Sequence, residues 1–377
     1  MSNYGKISIK PGSDAAKLIV QMGSKKNSES LAAMEAFAAF IGPVIQQVID
    51  QAPIISNLYG ADTYAEGTAP SVPLDLFYDV KDRNFIQVWT QSIAGGLATS
   101  EIKGLDEMFL NTYRLDTAVS MQKKYAREAR LNVVAATMNR MAQEILVKQE
   151  INSANILLKA VADAQYDSDD DGVVDTRQVI RSTTANVLQM DDWNRLATLA
   201  VRTKPSWFGG TAVGGSQTFT HVVFSPEMAE QVRSMSYNPQ NTRAVPNTDE
   251  STALAAPDSV RNSVWNFAGV SNFLGSEIIV ANEFGVGKRY NKVFAKYAGA
   301  TSYGGSSFTQ ASDEIVVALN LAGTNPLLRL SEVGSEGSTF TTQPDQFHIR
   351  EDKMGWFGGL REGRAVLDSR GILGLIC

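Results

Sequence analysis

The stretch LFYDVKDRNFIQVWTQSIAGGLATSEIKGLDEMFLNTYRLDTAVSMQKKYAREARLNVVAATMNRMAQEILVKQE, Leu76–Glu150, changes its hydrophobic period partway along. Its first half is rich in aromatic and β-branched residues, interrupted by the small, polar AGGLATSEIKG. That composition predicts strand, tip, strand: a long β-hairpin from about Phe77 to Thr117. Phe85, Ile86, Val88 and Trp89 fall on both faces of such a ribbon, and a lone two-stranded hairpin is marginal in water, so it needs a surface to lie on. From Val119 to Gln165 the pattern is helical. Leu131, Val134, Met138, Met141, Ile145 and Leu146 keep i, i+3, i+4 and i+7 spacing, and no Gly or Pro lies between Leu115 and Asp171. One unbroken helix over that run would be about 70 Å long, so a long spine or two abutting helices is expected.

Upstream, residues 1–75 read as an arm. Turn residues open and close it (PGSDAAK, GADTYAEGTAPSVP), and such a segment packs on neighbours more often than it makes a core. Its apolar run LAAMEAFAAFIGPVIQQVI, Leu31–Ile49, carries Glu35, Pro43, Gln46 and Gln47, which lipid tolerates poorly. It is expected to form buried or interfacial helices broken at Pro43. Downstream, QMDDWNRLATLAVRTK reads as a helix capped by Asp191. HVVFSPEMAEQVRSMS reads as a strand, then Ser225 as cap, Pro226 at the first helical position, and a helix. SEIIVAN and EIVVALNL are core strands in this reading, and the last sixty or so residues are β-rich.

Composition narrows the function. The 377 residues are 44% hydrophobic and 20% charged, with net charge −6, the opposite sign from a generally basic nucleic-acid binder. A single cysteine, Cys377, allows no internal disulfide and no thiolate metal site. His221 and His348 are the only histidines, and neither lies in a catalytic motif. The opening MSNYGKISIKPGSDAAK has no apolar signal core, so synthesis in the cytosol is expected.

Several motifs have a chemical reading beside a plain one. NEFGVGKRY lacks the first glycine and the Ser or Thr of a phosphate-binding loop, and reads as a tight turn before a basic strand. Glu227, Glu283, Asp313 and Glu314 read as scattered, solvated carboxylates. Met121, Met138 and Met141 fill a core or a subunit contact, and Trp89, Trp193, Trp207, Trp265 and Trp356 serve as core or interface anchors. The sharpest local motif is YDSDDDGVVDTRQ, Tyr166–Gln178. Counted from Asp167, a calcium loop would take Asp167, Asp169, Asp171, the Val173 carbonyl and Asp175, with Gly172 at the bend. Gln178 stands where a bidentate Glu belongs, so the alternatives are a weak calcium site or an acidic turn ending the long helix.

The order arm, hairpin, spine helix, mixed central region, closing strands resembles the major capsid protein of tailed bacteriophages, with the Hong Kong 97-type fold. Leu76–Glu150 is similar to that family's E-loop running into its spine helix. FHIREDKMGWFGGLREGRAVLDSRGILGLI, Phe347–Ile376, is similar to its ending, through Gly355, Trp356, Arg364, Ala365 and Val366. The resemblance implies an α+β chain in five parts: an N-terminal arm (1–75), an E-loop hairpin (76–117), the spine helix with part of the peripheral domain (118–204), a mainly axial domain (205–322) and closing peripheral strands (323–377). It implies pentamers and hexamers closing an icosahedral head around double-stranded DNA, without enzymatic turnover or a required cofactor. Portal, scaffold and possible decoration proteins are the implied partners, no membrane is involved, and the location is the virion capsid assembled in the host cytoplasm. No long scaffold-like segment precedes the hairpin. Some family members crosslink a hairpin lysine, and Lys103 is the lysine at the tip, although a solvated turn lysine is the plain reading. Rival readings are an encapsulin-like compartment shell and a calcium-dependent binding protein.

Overall fold

The computed structural model describes residues 9, 12–24, 26–50, 54–73, 107–128, 130–166, 175–203, 219–237, 272–273, 275–322, 325–333, 340–344 and 352–377. In chain order the elements are α1 (Asp14–Met22), α2 (Asn27–Asp50), β1 (Gly60–Ala65), β2 (Ser71–Pro73), β3 (Glu107–Phe109), β4 (Thr112–Gln122), α3 (Lys123–Arg127) and α4 (Leu131–Asp163). There follow β5 (Gln165–Tyr166), β6 (Thr176–Arg177), β7 (Val179–Arg181), α5 (Met190–Thr203), β8 (His221–Phe224), α6 (Pro226–Tyr237), β9 (Asn272–Phe273) and β10 (Ser276–Val280). The chain closes with α7 (Arg289–Ala298), β11 (Ser302–Tyr303), β12 (Ser306–Ser307), β13 (Ile315–Leu319), β14 (Leu327–Val333), β15 (Thr341–Pro344), β16 (Lys353–Val366) and β17 (Ile372–Ile376).

Two compact units emerge. One is drawn from Met1–Val72, Phe109–Ala154 and Leu327–Ala365, the other from Pro73–Met108, Asn155–Pro326 and Val366–Cys377. α5 and β17 both belong to the second unit. The architecture is α+β, and α4 runs through both units.

The first unit is a mixed sheet in the order β1-β14-β16-β15, with β4 also paired to β16. β4 and β16 run antiparallel over eleven partners, from Lys353↔Gln122 to Gly363↔Thr112. The strand therefore continues past Thr117 to Gln122, and the short α3 separates it from α4. The helix itself is 33 residues, about 50 Å. Val134, Met138, Met141, Ile145 and Leu146 are buried, as their spacing predicts. They meet Phe37, Ile41, Ile45, Phe340 and Trp356 in one core.

The arm is where expectation and structure part. α1 and α2 do not wait for a neighbour: Ile19, Met22, Met34, Phe37, Ile41 and Ile45 are all fully or almost fully buried in the chain's own core. α2 also runs through Pro43 without a break. A proline removes one helical N–H and costs about 3 kcal/mol in an isolated helix, but the buried Ile41 and Ile45 beside it are worth about 1.5–3 kcal/mol each. Burial outweighs propensity here.

The second unit is built on a six-stranded sheet, β7-β17-β13-β8-β10-β9. β13 and β17 are buried along their whole length, which explains their unbroken apolar runs IVVAL and ILGLI. α5 and α6 supply Trp193, Leu196, Met228 and Val232 to the core, and Trp193 stacks edge-on against Phe219 and Phe273. Ser225 caps α6 as its sequence predicts, accepting from the Met228 N–H at 3.1 Å, with Pro226 at the first position. α5 is capped differently from expectation. The helix starts at Met190, so Asp191 lies inside it, and Asp192 reaches back to accept from the Gln189 N–H at 3.2 Å. The segment after NEFGVGK is likewise a helix, α7, and not a strand. Tyr290, Asn291, Phe294 and Ala298 are buried at helical spacing, and Gly285 and Gly287 take positive φ in the turn before it.

Candidate assembly elements and the acidic hairpin

β16 carries the residues on which the family resemblance rests, and its chemistry is built around close approach. Gly358 faces Phe340 and Met141: a Cβ there would meet the Phe340 ring tip and come within 2.8 Å of the Met141 methyl. Gly359 and Gly363 similarly back onto Asp116 and Asn111–Thr112. Trp356 is fully buried, its ring 5.4 Å from that of Phe37 on α2. The glycines of MGWFGGLREGR thus let β4, α4 and Phe340 close on one strand, with tryptophan as the anchor.

At the far end of that strand lies a buried polar network. The Glu362 carboxylate accepts from Tyr113 Oη at 2.7 Å, Gln149 Nε2 at 2.9 Å and Arg364 Nη2 at 3.2 Å. Both side chains of the Glu362–Arg364 pair are wholly buried. The Arg364 guanidinium also stacks over the Tyr59 ring at 5.3 Å. Burial, then the Glu362 charge, push the Tyr113 phenol up to about 12, with Arg364 opposing. Beside this network, Glu150 of α4 accepts from the Ile55 and Ser56 N–H groups at 2.7 and 3.0 Å, and Tyr59 Oη donates to the Ser153 carbonyl at 2.8 Å. α4 therefore holds the turn that leads into β1 and sets the parallel register of β1 on β14. Sequence reading passed over this network. The available signal was Glu362 and Arg364 two apart on a strand, hence on one face, among apolar neighbours.

In the second unit the ends of the acidic loop are brought together. β5 and β6 pair antiparallel, Gln165↔Arg177 and Tyr166↔Thr176. Arg177 Nη1 donates to the Ala162 carbonyl at 3.1 Å, a cation at the C-terminal end of α4 where the helix dipole favours one. Asp167, Asp169, Asp171 and Val173 lie outside the described residues. Asp175 is exposed and accepts from Thr176 Oγ1 at 2.9 Å. Gln178, which would stand at position twelve, is fully buried, and its Nε2 donates to the Gln165 carbonyl. It faces the fold. Among the described residues no group of three or more His, Cys, Asp or Glu could hold a metal ion.

Two carboxylates expected in solvent are buried. Asp313 pairs with Arg181 at 2.9 Å; burial pushes its carboxyl up, but Arg181, the Thr309 N–H and the Ser312 hydroxyl outweigh that and hold it below the usual range. Glu314, 2% exposed, goes the other way. Burial raises it, the Ser225 hydroxyl and N–H only partly offset this, and the Glu227 charge adds to the rise. Glu314 also exchanges two backbone hydrogen bonds with Cys377, which is buried. Trp193, Trp356, Met121, Met138 and Met141 are buried anchors. Trp89, Trp207, Trp265, His348, Lys103 and the hairpin up to residue 106 lie outside the described residues, although β2 and β3 at its base pair with each other. Among the described residues no helix is long and apolar enough to cross a membrane.

No family model and no curated protein matches this chain. Solved structures that align with it include the capsid of a native GTA particle, at 12% identity over 85% of this chain and 88% of that one, with a TM-score of 0.48. The capsid of cyanophage P-SCSP1u aligns at 14% identity over 84% and 86%, with a TM-score of 0.47. The SrpI encapsulin complex from Synechococcus elongatus aligns at 10% identity over 86% and 88%, with a TM-score of 0.43.

Proposed function

We propose that this chain is the major capsid protein of a tailed bacteriophage, which self-assembles as pentamers and hexamers into an icosahedral head enclosing double-stranded DNA. The observation that carries the reading is the element order: a strand that continues from the E-loop segment, β4, leads through α3 into a 33-residue helix and is paired along its full length by the Gly-Trp…Arg-Ala-Val strand β16. The role is structural, without turnover. Portal, scaffold and decoration proteins are its partners, and the virion capsid, assembled in the host cytoplasm, is its location. The arm's contribution to subunit contacts is narrower than its sequence suggests, because its apolar face is already used within the chain. Among its described residues the arm leaves Val20 and Phe40 outside, 49% and 52% exposed, and Phe109 at the hairpin base is 71% exposed. Large permanent interfaces draw on such residues. Negative-stain microscopy of the purified chain tests the reading: closed icosahedral shells are expected, and a chain that stays monomeric at high concentration with and without scaffold would defeat it. Shells filled with protein cargo would instead favour the encapsulin-like alternative.

The acidic loop is proposed as a weak calcium brace within each subunit, not as the centre of a calcium-dependent binding protein. Its support is the β5–β6 pairing, which closes the loop's two ends. Because Gln178 faces the fold, an ion would have Asp167, Asp169, Asp171, the Val173 carbonyl and Asp175 as ligands and no twelfth-position oxygen. Chelation is expected to lower the thermal stability of particles, with Asp169→Ala/Asp171→Ala mimicking it. Identical melting with and without chelator leaves a plain acidic turn.

A further inference from the structure

In a chain of net charge −6, α7 presents an unusual face. Lys288, Arg289, Lys292 and Lys296 are all exposed, and among the described residues none of them is in an ion pair. At about 100° per residue the four lie within an arc of about 100°. Tyr290, Asn291, Phe294 and Ala298, the residues that seat the helix on its unit, occupy the opposite arc. The first turn holds no acidic residue, so two cations stand at the positive end of the helix dipole, where they are disfavoured. Stability alone does not select that arrangement. Acids do lie nearby at one end: Glu227 approaches the turn at Gly285, and Glu283 accepts from the Tyr290 N–H through its backbone. At the other end Lys159 sits 5.9 Å over the Tyr297 ring but is paired with Asp163. Lys292 and Lys296, in the middle and far turns, are thus the least neutralised.

We propose that this face of α7 is the surface through which each subunit contacts the phosphate backbone of double-stranded DNA. The inference deepens the capsid reading and rests on it for the identity of the polyanion. Successive cations at Lys288, Lys292 and Lys296 are spaced about 6 Å apart along the helix, and the row spans about 12 Å. A duplex carries about one charge per 1.7 Å of axis, so that span offers more than enough phosphates for all four cations. The contact carries no sequence information, since an exposed Lys and Arg row on one helix face without base-reading side chains positions DNA but does not read it. With four cations per subunit, binding is weak and salt-sensitive, which suits a container whose contents must move.

The test is fluorescence anisotropy of a labelled short duplex with the full-length unassembled chain across a salt series. Log affinity is expected to fall against log salt with a slope of about −3.6, that is about −0.9 for each of four phosphates, or about a hundredfold between 50 and 200 mM salt. K292Q/K296Q is expected to halve the slope to about −1.8, and K288Q/R289Q/K292Q/K296Q to bring it near zero. Both should melt as the parent does, because the side chains are exposed. A wild-type slope in the quadruple variant overturns the proposal. So does binding of a synthetic Tyr166–Gln178 peptide in preference to the duplex, which would make the partner an acidic protein segment. Microscopy of the same samples separates the two readings: shells that form but ignore the duplex defeat this proposal alone, and a duplex-binding chain that never forms shells defeats the capsid reading alone.

Discussion

The two units handle the same problem, a buried acid, in different ways. In the first, Glu362 is matched by an arginine two residues along the same strand and by Tyr113 and Gln149. In the second, among the described residues, Glu314 meets the neutral donors of Ser225, with another acid, Glu227, close by. The first arrangement surrounds its acid with a cation and two further donors inside the fold. The second makes ionisation costly and leaves a proton-sensitive point where β13 meets the start of α6. Packing is handled alike: each unit seats its own stretch of α4 on a strand glycine, Gly358 against Met141 in one and Gly374 against Val161 in the other.

The comparison breaks most sharply at Arg364. Arg364→Ala strands a buried carboxylate and is expected to cost about 3–5 kcal/mol, visible as a large drop in denaturant midpoint. A loss below about 1 kcal/mol would mean that the neutral donors Tyr113 and Gln149 suffice for Glu362. Next in size are Gly358→Ala and Gly374→Ala, each expected to cost about 1–3 kcal/mol through overpacking. A Cβ at Gly374 would come within 2.9 Å of Val161 and of Val179, stiff β-branched neighbours, and one at Gly358 would meet the Phe340 ring tip before the Met141 methyl. Ser225→Ala comes third, at about 1 kcal/mol for the lost cap, and it should also push Glu314 further up because a donor to its carboxylate disappears.

The smallest effect is the pH response of Glu314 itself, and its sign is opposite to the usual carboxylate. Its folded value is raised above the ordinary 4.5, so the stability it contributes is complete below that value and is lost as pH rises through the folded one. Asp313, held below 3.8, contributes stability that is present above that value and lost as pH falls through its folded one. Glu314→Gln is therefore expected to melt a few degrees higher than the parent at neutral pH and to converge with it below about pH 4.5. A variant that melts lower at neutral pH would show that Glu314 is stabilised as an anion.

Legibility followed the range of the interaction. The long helix, the Ser225–Pro226 start of α6 and the buried strands β13 and β17 are written in spacing of three or four residues, in caps, and in unbroken β-branched runs. The acidic loop was visible as a motif, but the inward orientation of Gln178 was not, because it depends on Ala164 and Gln165 across the hairpin. The Glu362 network left only the faint mark of two charges on one strand face. Asp313 and Glu314 left none, since a carboxylate in a polar loop and one beneath a sheet look the same in one dimension.

The sequence by itself determined the long helix α4, the Ser225–Pro226 start of α6 and the buried strands β13 and β17, because backbone hydrogen bonding and side-chain period act over a few neighbouring residues. Only the tertiary structure decided that α1 and α2 are core, that α2 passes through Pro43, that NEFGVGKRY leads into a helix with a cationic outer face, and which acids are buried. Those outcomes depend on burial by segments far away in the chain, and the several kcal/mol that burial supplies exceed the local preferences they override.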